Sequence, residues 1–148
     1  MARGDVVVFE EAMAKMLEGD WASTDHFYLA ICDNTSAPSA SLATPTLGDF
    51  TEVGASGTYV TGGTDLGTLA DLVTEAAGVV TFDSSVTPSW AQNANNDNDA
   101  YWGIVYNYTD AGKDALLYID LGGPVDMSAG DLTVTFHASG LFTITKAV

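Results

Sequence analysis

Two apolar runs in the last third of the chain, Tyr101–Tyr108 (YWGIVYNY) and Ala115–Leu121 (ALLYIDL), flank the polar segment Thr109–Asp114. Strand-forming residues on both sides of a short loop predict an antiparallel hairpin, and everything else must fold around it. Downstream, Leu132–Phe136 (LTVTF) and Phe142–Thr145 (FTIT) alternate strictly. Each is therefore expected to bury one face and expose threonines on the other, with Ser139-Gly140 at the turn between them. Leu132, Val134 and Phe136 share the face expected to be buried.

Upstream the pattern is similar but more broken. His26–Cys32 (HFYLAIC) reads as a strand ending at the Asp33-Asn34-Thr35 turn signal, and Ser36–Pro45, small and polar, reads as a loop. Thr51–Val53, Thr58–Thr61 and Gly78–Asp83 are further strand candidates, Val86–Trp90 a short turn or strand, and Leu66–Glu75 fits strand or helix equally well. Phe9, Met13, Met16 and Leu17 fall at i, i+4, i+7 and i+8, one face of a helix at about residues 9–18. Glu10 and Glu11 suit its first turn, and Gly19 is a stop signal. Residues 1–8, with the apolar Val6-Val7-Val8, form an N-terminal arm or a first strand, and 9–148 form one β-rich domain. Roughly eight short strands suit two sheets facing each other. The expected fold is mainly β, an antiparallel β-sandwich or jelly-roll-like domain with one short N-terminal helix.

Length and composition fit this. The chain has 148 residues, 47% apolar and 16% charged, enough to bury a core and too apolar for disorder. Its 20 acidic residues face only four cations, Arg3, Lys15, Lys113 and Lys146, for a net charge of −16. Binding nucleic acid or an anionic membrane normally requires Lys and Arg, so neither is an expected partner. No apolar run is long enough to span a bilayer, and the start lacks a signal-peptide pattern, which points to a product made in a cytoplasm.

No constellation selects an enzyme. His26 and His137 lie in no catalytic motif, and the lone Cys32, among Leu29, Ala30 and Ile31, reads as a buried thiol on a strand. One Cys and two His cannot supply a usual zinc site, and no glycine-rich phosphate loop occurs. No cofactor is expected. Asn93–Asp99 (NANNDND) offers oxygen ligands, with Asp97 and Asp99 as a weak cation site, set against a solvated loop tip. Trp21, Trp90 and Trp102 are expected in the core rather than stacked on sugars.

Taken together, the segments FEEAMAKMLEGDW, YLAICDNTSAP, DFTEV, GTYVTGGTDL, GVVTFDSSVTPSW, AYWGIVYNYTDAGKDALLYIDLGG and LTVTFHASGLFTIT resemble a group of small structural virion proteins of tailed bacteriophages, most like capsid decoration, or cement, proteins. The resemblance implies a compact, trimeric β-domain on the outer surface of the phage head that binds the major capsid protein and stabilises the lattice. The apolar stretch Val6, Val7, Val8 and Phe9 is the candidate capsid-binding segment, by strand addition to a capsid sheet edge. The alternative is a tail or fibre component that touches a host-surface ligand.

Overall fold

The computed structural model describes residues 1–146 and is mainly β. The last two residues of the 9–148 domain lie outside the described residues. A first strand β1 (Val6–Val8) runs into helix α1 (Glu10–Glu18), and β2 (His26–Cys32) follows. Then come β3 (Thr64–Thr68), a single helical turn α2 (Leu69–Leu72), β4 (Val73–Ala76), β5 (Val79–Phe82) and β6 (Ser89–Trp90). The chain ends with β7 (Ala100–Asn107), β8 (Ala115–Val125), β9 (Leu132–Thr133) and β10 (Phe142–Thr145). Three antiparallel sheets result, in the orders β1-β8-β7-β2-β3, β10-β5-β4 and β6-β9, an arrangement compatible with a β-sandwich.

The expected hairpin is the centre of the molecule. β7 and β8 pair with Ile104 opposite Tyr118 and Val105 opposite Leu117, and β2 lies on the other side of β7 with Leu29 opposite Val105. Asn107, fully buried at the hairpin's end, closes the loop. Its Oδ1 accepts the amides of Thr109 and Asp110, both at 3.0 Å, and its Nδ2 donates to Asp25 at 2.8 Å.

The three central strands are buried on both faces. Phe27 of β2 meets Trp21 and Phe82 edge-on, at 5.3 and 5.9 Å between ring centroids, which brings the β10-β5-β4 sheet against one face of the large sheet. On the other face Phe9 packs on Tyr118 at 5.2 Å and on Phe50 at 6.0 Å. Thr51–Val53 lines up beside the far end of β2, with Glu52 bridged to Cys32. Thr58–Thr61 is not a strand, because it turns away to place Tyr59 in the core.

Three expectations need correction, and α1 divides the stripe read for it: Phe9 is fully buried, Leu17 is 88% exposed, and Ala12 is the helix's buried residue. Lys15 pairs with Asp114, just before β8, at 2.6 Å, while Met13 and Leu17 face outward. β9 and β10 do not form a hairpin with each other, since β9 pairs with β6 and β10 with β5. The turn at Ser139-Gly140 joins two sheets, with Gly140 donating to His137 at 2.8 Å. Phe142 and Ile144 stand on the face of their sheet that carries Phe82, yet Phe142 is only partly buried and Ile144 is exposed, because this end of the face borders a hollow beside α1. Phe136, though in step with Leu132 and Val134, is also only partly buried, because it lies beyond the end of β9. The ambiguous stretch Leu66–Glu75 resolves into the end of β3, α2 and the start of β4. Thr68 caps the turn, with its hydroxyl accepting the Asp71 amide.

These burials separate two substitutions that the sequence pattern treats alike. Val134→Asp places an unpaired carboxylate in the core and is expected to cost at least about 3 kcal/mol. Phe136→Asp should cost clearly less, and urea denaturation of both variants measures the difference.

Candidate interaction surfaces

Val6, Val7 and Val8 are a strand of the chain's own sheet, in register with Ile119, Tyr118 and Leu117 of β8. Phe9 is fully buried and accessible to no partner. Of the segment expected to contact a capsid, therefore, only the outer edge of β1 faces away from the molecule, and the apolar side chains serve the fold.

Asn93–Asp99 is an exposed loop at Ala94, Asn95, Asn98 and Asp99 that is pinned from within by Asn96. Asn96 is buried, and its Oδ1 accepts the Thr58 amide at 2.7 Å while its Nδ2 donates to the carbonyls of Ala91 and Met127, at 3.0 and 3.1 Å. Gly57 is needed beside it, since a Cβ there would lie 2.0 Å from Asn96 Oδ1. Asp97 accepts the Gly54 amide, whereas Asp99 is exposed. Among the described residues no group of three or more His, Cys, Asp or Glu is placed to hold a metal ion. Asp97 and Asp99 are thus a loop anchor and a surface acid rather than two arms of one site. An Asn whose amide and oxygen lock three segments together carries no sequence motif, so this role was invisible before folding.

A second polar knot joins the 50–63 loop to the sheet. Glu52 accepts the Tyr59 hydroxyl at 2.6 Å and the Gly62 amide at 2.7 Å. The Tyr59 oxygen in turn accepts the Ile31 amide at 3.1 Å, and Tyr106 donates to the Gly62 carbonyl at 2.9 Å. A buried carboxylate–phenol pair has the chemistry of a general acid, but Tyr59 is 1% exposed and no substrate reaches it. Desolvation pushes the Tyr59 and Tyr106 phenols and the Cys32 thiol upward, with the Glu52 charge adding to each.

Trp21 and Trp90 are in the core, and Trp102 is partly buried, with its indole N–H donating to Asn34 at 3.0 Å. His26 Nδ1 pairs with Asp65 at 2.9 Å. The exposed aromatic feature is instead a Tyr28–Tyr108 stack, at 4.1 Å between rings inclined by 16°, with the Lys113 ammonium 3.9 Å from the Tyr108 ring centre.

The outward stripe of α1 adjoins a hollow of about 250 Å3 walled by Met16, Leu17, Val73, Phe142 and Ile144, with Trp21 and Phe82 among the residues lining it. Leu17, Ile144 at 53% exposure, and Met13 at 46% make this an apolar surface. The helical period places Met13 and Leu17 on one apolar face without saying what covers it, since such a stripe reads the same whether a sheet or a partner lies against it.

Comparison with protein-family models gave no match, and comparisons with curated proteins and with solved structures gave no significant match. No helix among the described residues is long and apolar enough to cross a membrane.

Two measurements check the polar anchors. Asn96→Ala strands the Thr58 amide and removes the bonds to the Ala91 and Met127 carbonyls, which keep the Thr58 hydroxyl and the Asn93 amide, and is expected to cost about 1–3 kcal/mol in chemical denaturation. The raised phenols and thiol fix the alkaline behaviour. The unfolded groups ionise near 9.0 for the thiol and 10.0 for the phenols, while the folded ones keep their protons. Their stabilisation is complete below about pH 9 and is lost as pH rises further. Denaturation midpoints should therefore fall between pH 9 and 11, and tyrosine absorbance should show phenols that ionise only on unfolding.

Proposed function

We propose that the protein is a structural component of a tailed-phage particle that binds the outside of the assembled head and stabilises the capsid lattice. The observation that carries this reading is the apolar surface of α1, β4 and β10 on a chain of net charge −16. Strong like charge keeps copies soluble and apart, and an apolar patch on such a molecule marks where it is covered in use. The segments that resemble phage decoration proteins supply the identity of the covering partner, the major capsid protein. Self-association into a trimer belongs to the same proposal.

Binding that exists only in the mature lattice stabilises it by the binding free energy at every site, with no chemistry performed. One observation favours a tail or fibre component instead. The half-exposed Tyr28–Tyr108 stack, with Lys113 over the Tyr108 ring, is an aromatic surface feature of the kind that meets a neutral surface ligand such as a sugar once the lysine side chain swings aside.

Quantitative mass spectrometry of purified particles separates the two. The cement role requires a copy number equal to, or a simple fraction of, that of the major capsid protein. A handful of copies would move the protein to the tail, and absence from particles would end the virion reading. In the cement case Leu17→Asp should reduce co-sedimentation with undecorated heads at least tenfold without lowering stability, because Leu17 supports nothing in the fold.

A further inference from the structure

A larger hollow, about 650 Å3, lies between the start of the chain and the segment that contains β9. Val6, Leu121, Val134 and Phe136 contribute apolar wall, and Arg3 and His137 contribute polar groups. Two unpaired strand edges meet it, β1 at Val6, with Val8 beyond the hollow along the same edge, and the β9 segment at Thr133 and Thr135. β1 ends the five-stranded sheet, and the Phe9 amide bond to Leu116 and the Asp120 amide bond to Asp5, both 3.0 Å, fix which residues face β8. By the alternation of an antiparallel ladder, Val6 and Val8 turn their N–H and C=O groups outward. On the opposite wall the Val134 amide donates to Pro88 at 2.9 Å, so Thr133 and Thr135 turn theirs away from β6. None of these outward backbone groups is hydrogen-bonded among the described residues.

A single Lys or Arg, Arg3, stands in the lining. Arg3 forms no ion pair or hydrogen bond among the described residues, in a chain with 20 acids to choose from. Its stem is held in place by a glycine: Gly122 has φ +71°, and a Cβ there would stand 2.8 to 3.0 Å from Arg3 Cβ, Cγ and Cδ. Asp120, the acid in the lining, already accepts the Gly122 amide at 2.7 Å. His137 Nδ1 accepts the Ser139 amide at 3.1 Å, which leaves its other ring nitrogen as a donor.

We propose that this cleft binds an extended segment of a partner polypeptide, which adds as a strand to the outer edge of β1 and presents an aspartate or glutamate side chain to Arg3. Main-chain bonds to Val6 and Val8 supply affinity, alternate side chains enter the apolar wall, and the acid sets the register. Arg3 is an island of positive charge on an acidic surface, so an acidic group is attracted there and repelled elsewhere, which gives direction as well as affinity. The inference holds wherever the protein resides and does not rest on the virion reading.

The test is selection of a displayed library of random ten-residue peptides, with blocked C-termini, on the full chain. The winners should alternate β-branched and other residues around one acid at a constant position, and on binding they should slow hydrogen exchange at Val6, Val8, Thr133 and Thr135. Val6→Pro removes an outward N–H while sparing the bonds to β8, and should weaken the best peptide at least tenfold. Arg3→Gln should weaken it about tenfold, and an acid-to-amide change in the peptide should then add no further loss. If Val6→Pro unfolds the protein, N-methylation of the peptide backbone replaces it and should abolish binding. The proposal is overturned by a library that yields no binder above background, or by winners indifferent to Arg3→Gln and to N-methylation. It is equally overturned by a second copy of this chain that protects the same amides without peptide.

Discussion

The double burial of β2, β7 and β8 is the constraint on which the rest of the structure depends. Directly opposed residues share a face, so Leu29, Val105, Leu117 and Val8 form one row while Ala30, Ile104, Tyr118 and Val7 form a row on the other face. Neither row tolerates water, and a chain of this size has no second large sheet to spend on each side. One face is therefore covered by a thin three-stranded sheet and Trp21, and the other by Phe9, Phe50 and the 50–63 loop. Where the rows come closest, side chains must shrink: Gly103 sits opposite both Ile31 and Ile119, and a Cβ on it would be 3.0 Å from a Leu29 methyl.

Covering a sheet with loops creates many turns, and turns expose amides that the ladders do not satisfy. The protein answers with carboxylates. Asp33, Asp49, Asp110, Asp120 and Asp126 each accept a backbone amide within two or three residues, and Asp97, Asp131 and Glu52 do so across the fold. Bonds from Thr68 to Asp71 and from Ser128 to Asp126 hold those carboxyls below their ordinary range, so they stay charged into acid. Much of the acidity is thus a consequence of loop architecture. It is also what makes the unpaired Arg3, braced over Gly122, stand out chemically.

The two partner-facing surfaces differ in kind. The α1–β4–β10 patch is apolar and offers area, which suits a broad contact repeated over a lattice. The cleft beside β1 offers backbone groups and one cation, which suits a single extended segment in a single direction. Both arise because the supporting elements are too few to finish the job: the face of the small sheet that carries Phe82 is only partly covered, and the large sheet ends at β1.

The strands at the centre were legible in the sequence because long apolar runs broken by turn residues permit little else. His26–Cys32 kept its boundaries, the β7–β8 hairpin moved by only a few residues, Gly19 ended α1 as its position implies, and Cys32 is buried as its neighbours suggest. Periodicity also identified which residues of β9 and β10 share a face, whereas the stripe it drew on α1 is divided, with Phe9 fully buried and Leu17 88% exposed. What covers that face was beyond it. Met13, Leu17 and Ile144 alternate or repeat just as core residues do, and only the packing of α1 and of the β10–β5 pair leaves them exposed. The Asn96 lock, the bond of Tyr59 to Ile31 and the meeting of Arg3 with Gly122 join residues far apart in the chain. Local sequence determined the elements, because their apolar period and turn chemistry act within a few residues. Tertiary structure alone decided the sites, because a hydrogen bond or an uncovered surface depends on which distant segment arrives beside it.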